Sequence, residues 1–164
     1  MIIRIVLADD ELLLGEAIGT LLSLEDDLEI VERVTDGQAA INAVARRRPD
    51  LALLDLEMPI LDGIDATTAI RAATPGTRVV LLTRHARPPA LRRALAAGVS
   101  AFVTKATSIK DLPGILRTVH AGGRYVDGQV AGAALAESRC PLTDRERDVL
   151  RESINGATIH TIAT

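Results

Sequence analysis

Asp9 and Asp10, Asp55, Thr83 and Lys105 stand at or just past the ends of short apolar runs that lie far apart in the chain. The first run opens onto three carboxylates, Asp9, Asp10 and Glu11; the others end in a carboxylate, a hydroxyl and an ammonium. Carboxylates gathered in one place repel one another and need compensation. A hard divalent cation supplies it through oxygen ligands, and Mg²⁺ takes one or two carboxylates together with phosphate oxygens. Asp9 and Asp10 are therefore candidate metal ligands. Asp55, single on its run, is the candidate nucleophile, because a carboxylate can attack phosphorus to give an aspartyl phosphate. Lys105 and the metal would neutralise the transferred group, and the Thr83 hydroxyl would hydrogen-bond it. Positioning and charge compensation supply most of what phosphoryl transfer needs. Each residue alone has an ordinary reading as a cap, a turn or a solvated charge. Their joint placement points to one site.

The runs that carry these residues read as strands over 2–8, 28–34, 51–54, 78–82 and 101–103. Several are apolar without a break, as Leu51-Ala52-Leu53-Leu54 is, which suits strands buried on both faces. Between them lie segments of helical spacing. Leu14, Ala17, Ile18, Leu21 and Leu22 form one stripe, and Ala40, Ile41, Val44 and Ala45 another. Further helices are predicted over 64–72, 89–97 and 109–120. Asp36, Pro88-Pro89 and Ser108 punctuate helix starts, and Gly98 ends the fourth helix. Five strands alternating with five helices predict an α/β fold, a doubly wound parallel sheet covered on both faces. Ligands of such sheets bind beyond the carboxyl ends of the strands, where the strand order switches. That is where all five residues fall.

Composition sets the limits. Of 164 residues 48% are apolar and 25% charged, with a net charge of −3, so there is no basic footprint for nucleic acid. Phe102 and Tyr125 are the only aromatic residues, which excludes base stacking as a binding mode and leaves an aliphatic core. No apolar run reaches the roughly 18 residues of a membrane span, so membrane insertion is not expected. The start of the chain lacks signal-peptide character. The single cysteine, Cys140, forms no internal disulfide. A cytoplasmic location is expected.

Asp9-Asp10, the stretch Asp55-Leu56-Glu57-Met58-Pro59-Ile60-Leu61-Asp62-Gly63, Leu82-Thr83 and Phe102-Val103-Thr104-Lys105 resemble the receiver domain of two-component response regulators. The resemblance covers residues 1 to about 121. It implies a flavodoxin-like (βα)5 sheet of order 2-1-3-4-5 and phosphotransfer from a sensor histidine kinase to Asp55. It assigns Mg²⁺ to Asp9, Asp10, Asp55 and the backbone carbonyl of Glu57. Thr83 matches the switch hydroxyl, Lys105 the site lysine and Phe102 the switch aromatic. Phosphorylation is expected to favour a homodimer. Where many receivers have a proline after the lysine, this chain has Ala106, so the resemblance gives no ground for assuming a cis bond there.

Residues 122–141 read as a linker, with an Ala-rich helix over 129–137. Residues 142–164 are similar to the opening of a LuxR/NarL-type helix-turn-helix domain. Thr143 and Glu146 form a capping box, Val149, Leu150 and Ile154 give an apolar face, and another helix is predicted from 157. The fragment is incomplete and carries four basic and four acidic residues from 138 onward, so specific DNA binding is expected only of a parent with the complete domain. Within the NarL/FixJ group the chain looks most like the DesR membrane-lipid regulators. Arg84, Arg87, Arg92 and Arg93 gather around the fourth helix as a candidate phosphorylation-sensitive interface. Arg46-Arg47-Arg48, His85 and His120 read as solvated or helix-end residues. Two rival readings are a stand-alone phosphoacceptor or interaction module, and a Mg²⁺-dependent aspartyl-phosphate phosphohydrolase of the haloacid-dehalogenase kind. The second lacks its Asp-x-Asp frame here. A dinucleotide fold is excluded because no Gly-x-Gly-x-x-Gly follows the first strand.

Overall fold

The computed structural model describes residues 1–106, 109–136 and 143–154. Strand β1 (Ile3–Ala8) leads into helix α1 (Leu12–Ser23). The alternation continues through β2 (Leu28–Val34), α2 (Gly37–Arg47), β3 (Leu51–Asp55), α3 (Gly63–Ala73), β4 (Arg78–Thr83) and α4 (Pro88–Ala97). Strand β5 (Ala101–Thr104) and helix α5 (Leu112–His120), entered through a 3-10 turn at Ile109–Asp111, complete the five repeats. All neighbouring strands are parallel. The order is the predicted 2-1-3-4-5, extended by a sixth strand.

Alternation along the strands divides the core in two. Ile3, Ile5 and Leu7 of β1, Leu51 and Leu53 of β3, and Val80 and Leu82 of β4 face α1 and α5, where Ile18, Leu22, Leu116 and Val119 meet them. Val6, Ala8, Ala52, Leu54 and Leu81 face the other way, onto Ala40 and Val44 of α2, Ile70 of α3 and Leu91 of α4. Each fully buried Leu or Ile contributes about 1.5–3 kcal/mol before entropy is set against it. The two-sided burial is why the strands read as unbroken apolar runs.

Local signals fix the helix starts. Asp36 accepts a hydrogen bond from the Ala39 N–H at 2.7 Å, and Asp62 from the Asp65 N–H at 2.8 Å. Pro88 opens α4 and Gly98 closes it at φ +95°. Gly63 serves the site directly. A Cβ there would lie 2.4 Å from the Asp55 carbonyl oxygen, so only glycine lets α3 begin against the end of β3.

The span read as a linker contains regular structure. Strand β6 (Tyr125–Val126) pairs with β5, and helix α6 (Gly128–Ala136) follows it. Two residues are too few to show a period, and Gly122-Gly123 just before them resembles a loop signal, which hid the strand. Helix α7 (Asp144–Ile154) is capped as expected. The Glu146 N–H donates to Thr143 Oγ1 at 3.2 Å, and the Thr143 N–H donates to Glu146 Oε2 at 2.8 Å. Its Val149 and Leu150 lie in the same apolar cluster as Val126, Val130, Ala134, Leu91 and Phe102. Helix α7 is thus packed on the sheet assembly. Ser108, Cys140, the last residue of the helix predicted over 129–137 and the helix predicted from 157 lie outside the described residues. Among the described residues no helix is long and apolar enough to cross a membrane, and there is no cis peptide bond.

Candidate phosphoacceptor site

Strand order switches at β1, which lies between β2 and β3. The register pairs Ala8 with Leu54, so the next residues, Asp9 and Asp55, leave the sheet side by side. Lys105 reaches the same point because β5 pairs with β4 up to Thr104 and Thr83, and the Lys105 N–H donates to the Thr83 carbonyl at 2.7 Å. Sequence positions 96 apart are thereby set around one small volume.

Both carboxylates are 4% exposed. Lys105 Nζ lies 3.1 Å from Asp9 Oδ2, 3.1 Å from Asp55 Oδ2 and 3.0 Å from Glu11 Oε1. Backbone groups hold the outer oxygens: the Glu11 N–H donates to Asp9 Oδ1 at 2.8 Å, and the Glu57 N–H to Asp55 Oδ1 at 3.3 Å. Burial, reinforced by the Asp9 charge, raises the Asp55 carboxyl from 3.8 to about 7, against the pull of Lys105 and the Glu57 N–H. Burial alone would lower the Lys105 ammonium, but its hydrogen bond to Glu11 and its ion pairs with Asp9 and Asp55 outweigh that and raise it. Lys105 is therefore a fixed positive charge in a site with excess carboxylate.

Thr83 is fully buried, and its Oγ1 accepts from the His85 N–H at 3.1 Å, which leaves the hydroxyl proton free to be donated elsewhere. Phe102 is also fully buried. It pairs with Leu81, so it shares a sheet face with Thr83 two residues further along β4. Asp10 is exposed and lines a neighbouring shallow hollow with Glu57, Met58 and Asp62. Among the described residues, the carboxylates of Asp9, Glu11 and Asp55 each place an oxygen within 4.8 Å of the others. Asp9 Oδ2 is buried with an ion-pair contact to Lys105 but no hydrogen bond. A buried oxygen of this kind, in a set of hard oxygen donors, fits a divalent cation.

Two rim residues belong to the site in a way the sequence did not reveal. Arg84 Nε donates to Glu11 Oε1 at 2.7 Å, and Arg84 Nη2 pairs with Glu11 Oε2. These bonds, and the one from Lys105, hold the Glu11 carboxyl below its usual range. The available signal was position: each residue follows directly on a residue of the site.

The response regulator receiver domain family matches residues 5–117. The transcriptional regulatory protein DesR of Bacillus subtilis (strain 168) is 36% identical over 161 residues, covering 98% of this chain and 79% of that protein. The response regulator protein VraR of Staphylococcus aureus (strain Mu3 / ATCC 700698) is 33% identical over 156 residues, covering 92% and 75%. Among solved structures, the receiver domain of the putative response regulator NarL from Mycobacterium tuberculosis superposes with a TM-score of 0.72 at 31% identity, over 74% of this chain and 98% of that one. A LuxR-family two-component response regulator from Aurantimonas sp. SI85-9A1 gives 0.79 at 27% identity, over 84% and 98%. The parallel sheet, the acidic pocket at its switch point and this breadth of similarity agree: the chain belongs to the NarL/LuxR-type two-component response regulators, with a receiver domain over residues 5–117.

Proposed function

We propose that this chain is a phosphorylation-controlled switch in which Asp55 accepts a phosphoryl group from the phosphohistidine of a sensor kinase. The observation that carries the reading is the Lys105 ammonium held 3.1 Å from both buried carboxylates, Asp9 and Asp55. In the transfer, an Asp55 carboxylate oxygen forms the new bond to phosphorus. The phosphorus–nitrogen bond breaks with its electron pair going to the imidazole, which keeps it as a lone pair or takes up a proton. Mg²⁺ would be held by Asp9, Asp55 and the Glu57 carbonyl, with Asp10, which lines the adjoining hollow beside Glu57, completing the set that the resemblance implies. When bound, it supplies positive charge for the phosphoryl oxygens.

The chain's own residues do the rest. Lys105 meets a phosphoryl oxygen with charge, and the Thr83 hydroxyl donates its free proton to another. Drawing Thr83 toward the new group vacates space on the face it shares with Phe102, and Phe102 turns into it. Phe102 packs in the cluster that includes Leu91 of α4, Val130 of α6 and Leu150 of α7, so its movement changes the surface those helices present. This is a local charge event biasing a two-state element. The outcome is a homodimer on phosphorylation and, in a parent with a complete helix-turn-helix domain, control of transcription. The names of the relatives DesR and VraR, a transcriptional regulator and a response regulator, support that output.

Light-scattering mass with and without beryllofluoride and Mg²⁺ tests the switch. Treated protein is expected to dimerise and treated Asp55→Ala to stay monomeric. Dimerisation that survives in Asp55→Ala counts against the proposal.

A further inference from the structure

Glu11 and Arg84 take no part in the phosphoryl chemistry described above, yet they close its rim. Arg84 grips Glu11 at two points, with Nε donating to Oε1 at 2.7 Å and Nη2 pairing with Oε2. A two-point guanidinium–carboxylate pair is the geometrically specific kind. The same Oε1 accepts from Lys105 Nζ at 3.0 Å. Lys105 is thus tied inward to Asp9 and Asp55 and outward to Glu11, and its three N–H donors face three carboxylates.

An incoming phosphoryl oxygen needs one of those donors. The Asp9 and Asp55 side chains are 1% and 5% exposed, and that of Glu11 is 31% exposed. Glu11 is the partner that can leave for water. Arg84 opposes that departure, because it fixes the Glu11 carboxylate where Lys105 finds it.

We propose that the Glu11–Arg84 pair is a latch across the mouth of the phosphoacceptor pocket, which holds Lys105 in its resting position and slows phosphoryl uptake. The latch rests on the reading of Asp55 as phosphoacceptor. Arg84 is the peptide neighbour of Thr83, so drawing the Thr83 hydroxyl inward pulls on the latch. Parting of the latch and switching are then one movement. Arg84 acts through Glu11 and Lys105 and is a positioning residue.

A rim guanidinium has an opposite conceivable role, attracting an anionic donor and steadying the transferred group. The sign of one rate separates the two. Loss of an attracting cation slows uptake, and loss of a latch speeds it. The assay is phosphorylation of the full chain by acetyl phosphate in Mg²⁺, comparing wild type with Arg84→Ala, Glu11→Ala and the double variant. Arg84→Ala is expected to react about two- to fivefold faster, the range an accessible ion pair supports. The double variant is expected to be no faster than Glu11→Ala alone, because the pair acts as a unit.

A readout without phosphorylation accompanies it. In metal-free protein, labelling of Lys105 by a small amine-reactive reagent, read by peptide mass against Lys110, is expected to rise in Arg84→Ala. Uptake that is unchanged or slower in that variant, multiplicative gains in the double variant, or unchanged Lys105 labelling each overturns the latch. Failure of wild type itself to take up phosphoryl overturns the reading of Asp55, and the latch with it.

Discussion

Asp55→Asn is expected to stabilise the metal-free protein at alkaline pH and to leave it nearly unchanged in acid. A carboxyl raised from 3.8 to about 7 holds its proton more tightly in the folded state than in the unfolded chain. Between those values the native state binds more protons, so folding stability falls as pH rises and the loss is complete above about 7. The span corresponds to about 4 kcal/mol at most. Part of the gain is returned on substitution. Asp55 offers one oxygen to Lys105 and the other to the Glu57 N–H, whereas an amide offers a single oxygen. The lost bond costs about 1–2 kcal/mol. A net gain of about 2 kcal/mol is therefore expected at pH 8, vanishing near pH 4, where the native carboxyl is protonated and the unfolded one is about half protonated. Urea unfolding of both proteins in chelator at pH 8 and pH 4 measures it. Equal destabilisation by Asp55→Asn at both pH values would refute the reasoning, since it would mean that Lys105 more than offsets the burial of this carboxylate.

Other parts of the fold give sharp expectations. Ile60 is 80% exposed and sits at φ +72°, a left-handed conformation that costs a β-branched residue about 1–2 kcal/mol. Ile60→Gly is expected to raise stability by about 1 kcal/mol in chemical denaturation, with any loss of stability contradicting the strain. Gly63→Ala places a Cβ 2.4 Å from the Asp55 carbonyl, so a loss of several kcal/mol and a disturbed pocket are expected; a midpoint equal to wild type would sink that account. Leu150 of α7 is fully buried in the cluster that holds Phe102. Leu150→Ala is expected to cost about 2–5 kcal/mol in a single cooperative transition. A receiver transition that ignores this change would show that α7 is not part of the same core.

Much of this site was legible because its residues lie at or just past strand ends, where β-branched apolar runs give way to single polar residues. Leu51-Ala52-Leu53-Leu54 running into Asp55 is the clearest case, for continuous burial on two faces leaves no other reading of such a run. The helix punctuation at Asp36 and Gly98 was legible for a similar reason, since the backbone geometry there demands those residue types. What stayed hidden depends on direction and on distance in sequence. Asp9 and Asp10 are equal as text, but neighbouring residues leave a strand on opposite sides, and Asp9 is buried while Asp10 is exposed. The bond between Glu11 and Arg84 joins residues 73 apart, and no local pattern announces it. Strand β6 is two residues long and follows paired glycines, so its pairing with Ala101 and Phe102 is a tertiary fact. The burial of Val149 and Leu150 depends in turn on the surface that β6 and α6 create.

The central claim is that Asp55 carries the phosphoryl group. Its most direct test is to treat the intact chain with acetyl phosphate and Mg²⁺, trap the acyl phosphate by borohydride reduction, and locate the modified residue by peptide mass. The account predicts one modified residue, Asp55, in wild type and none in Asp55→Asn. Modification that maps to another carboxylate in wild type, or that persists at wild-type level in Asp55→Asn, would contradict it.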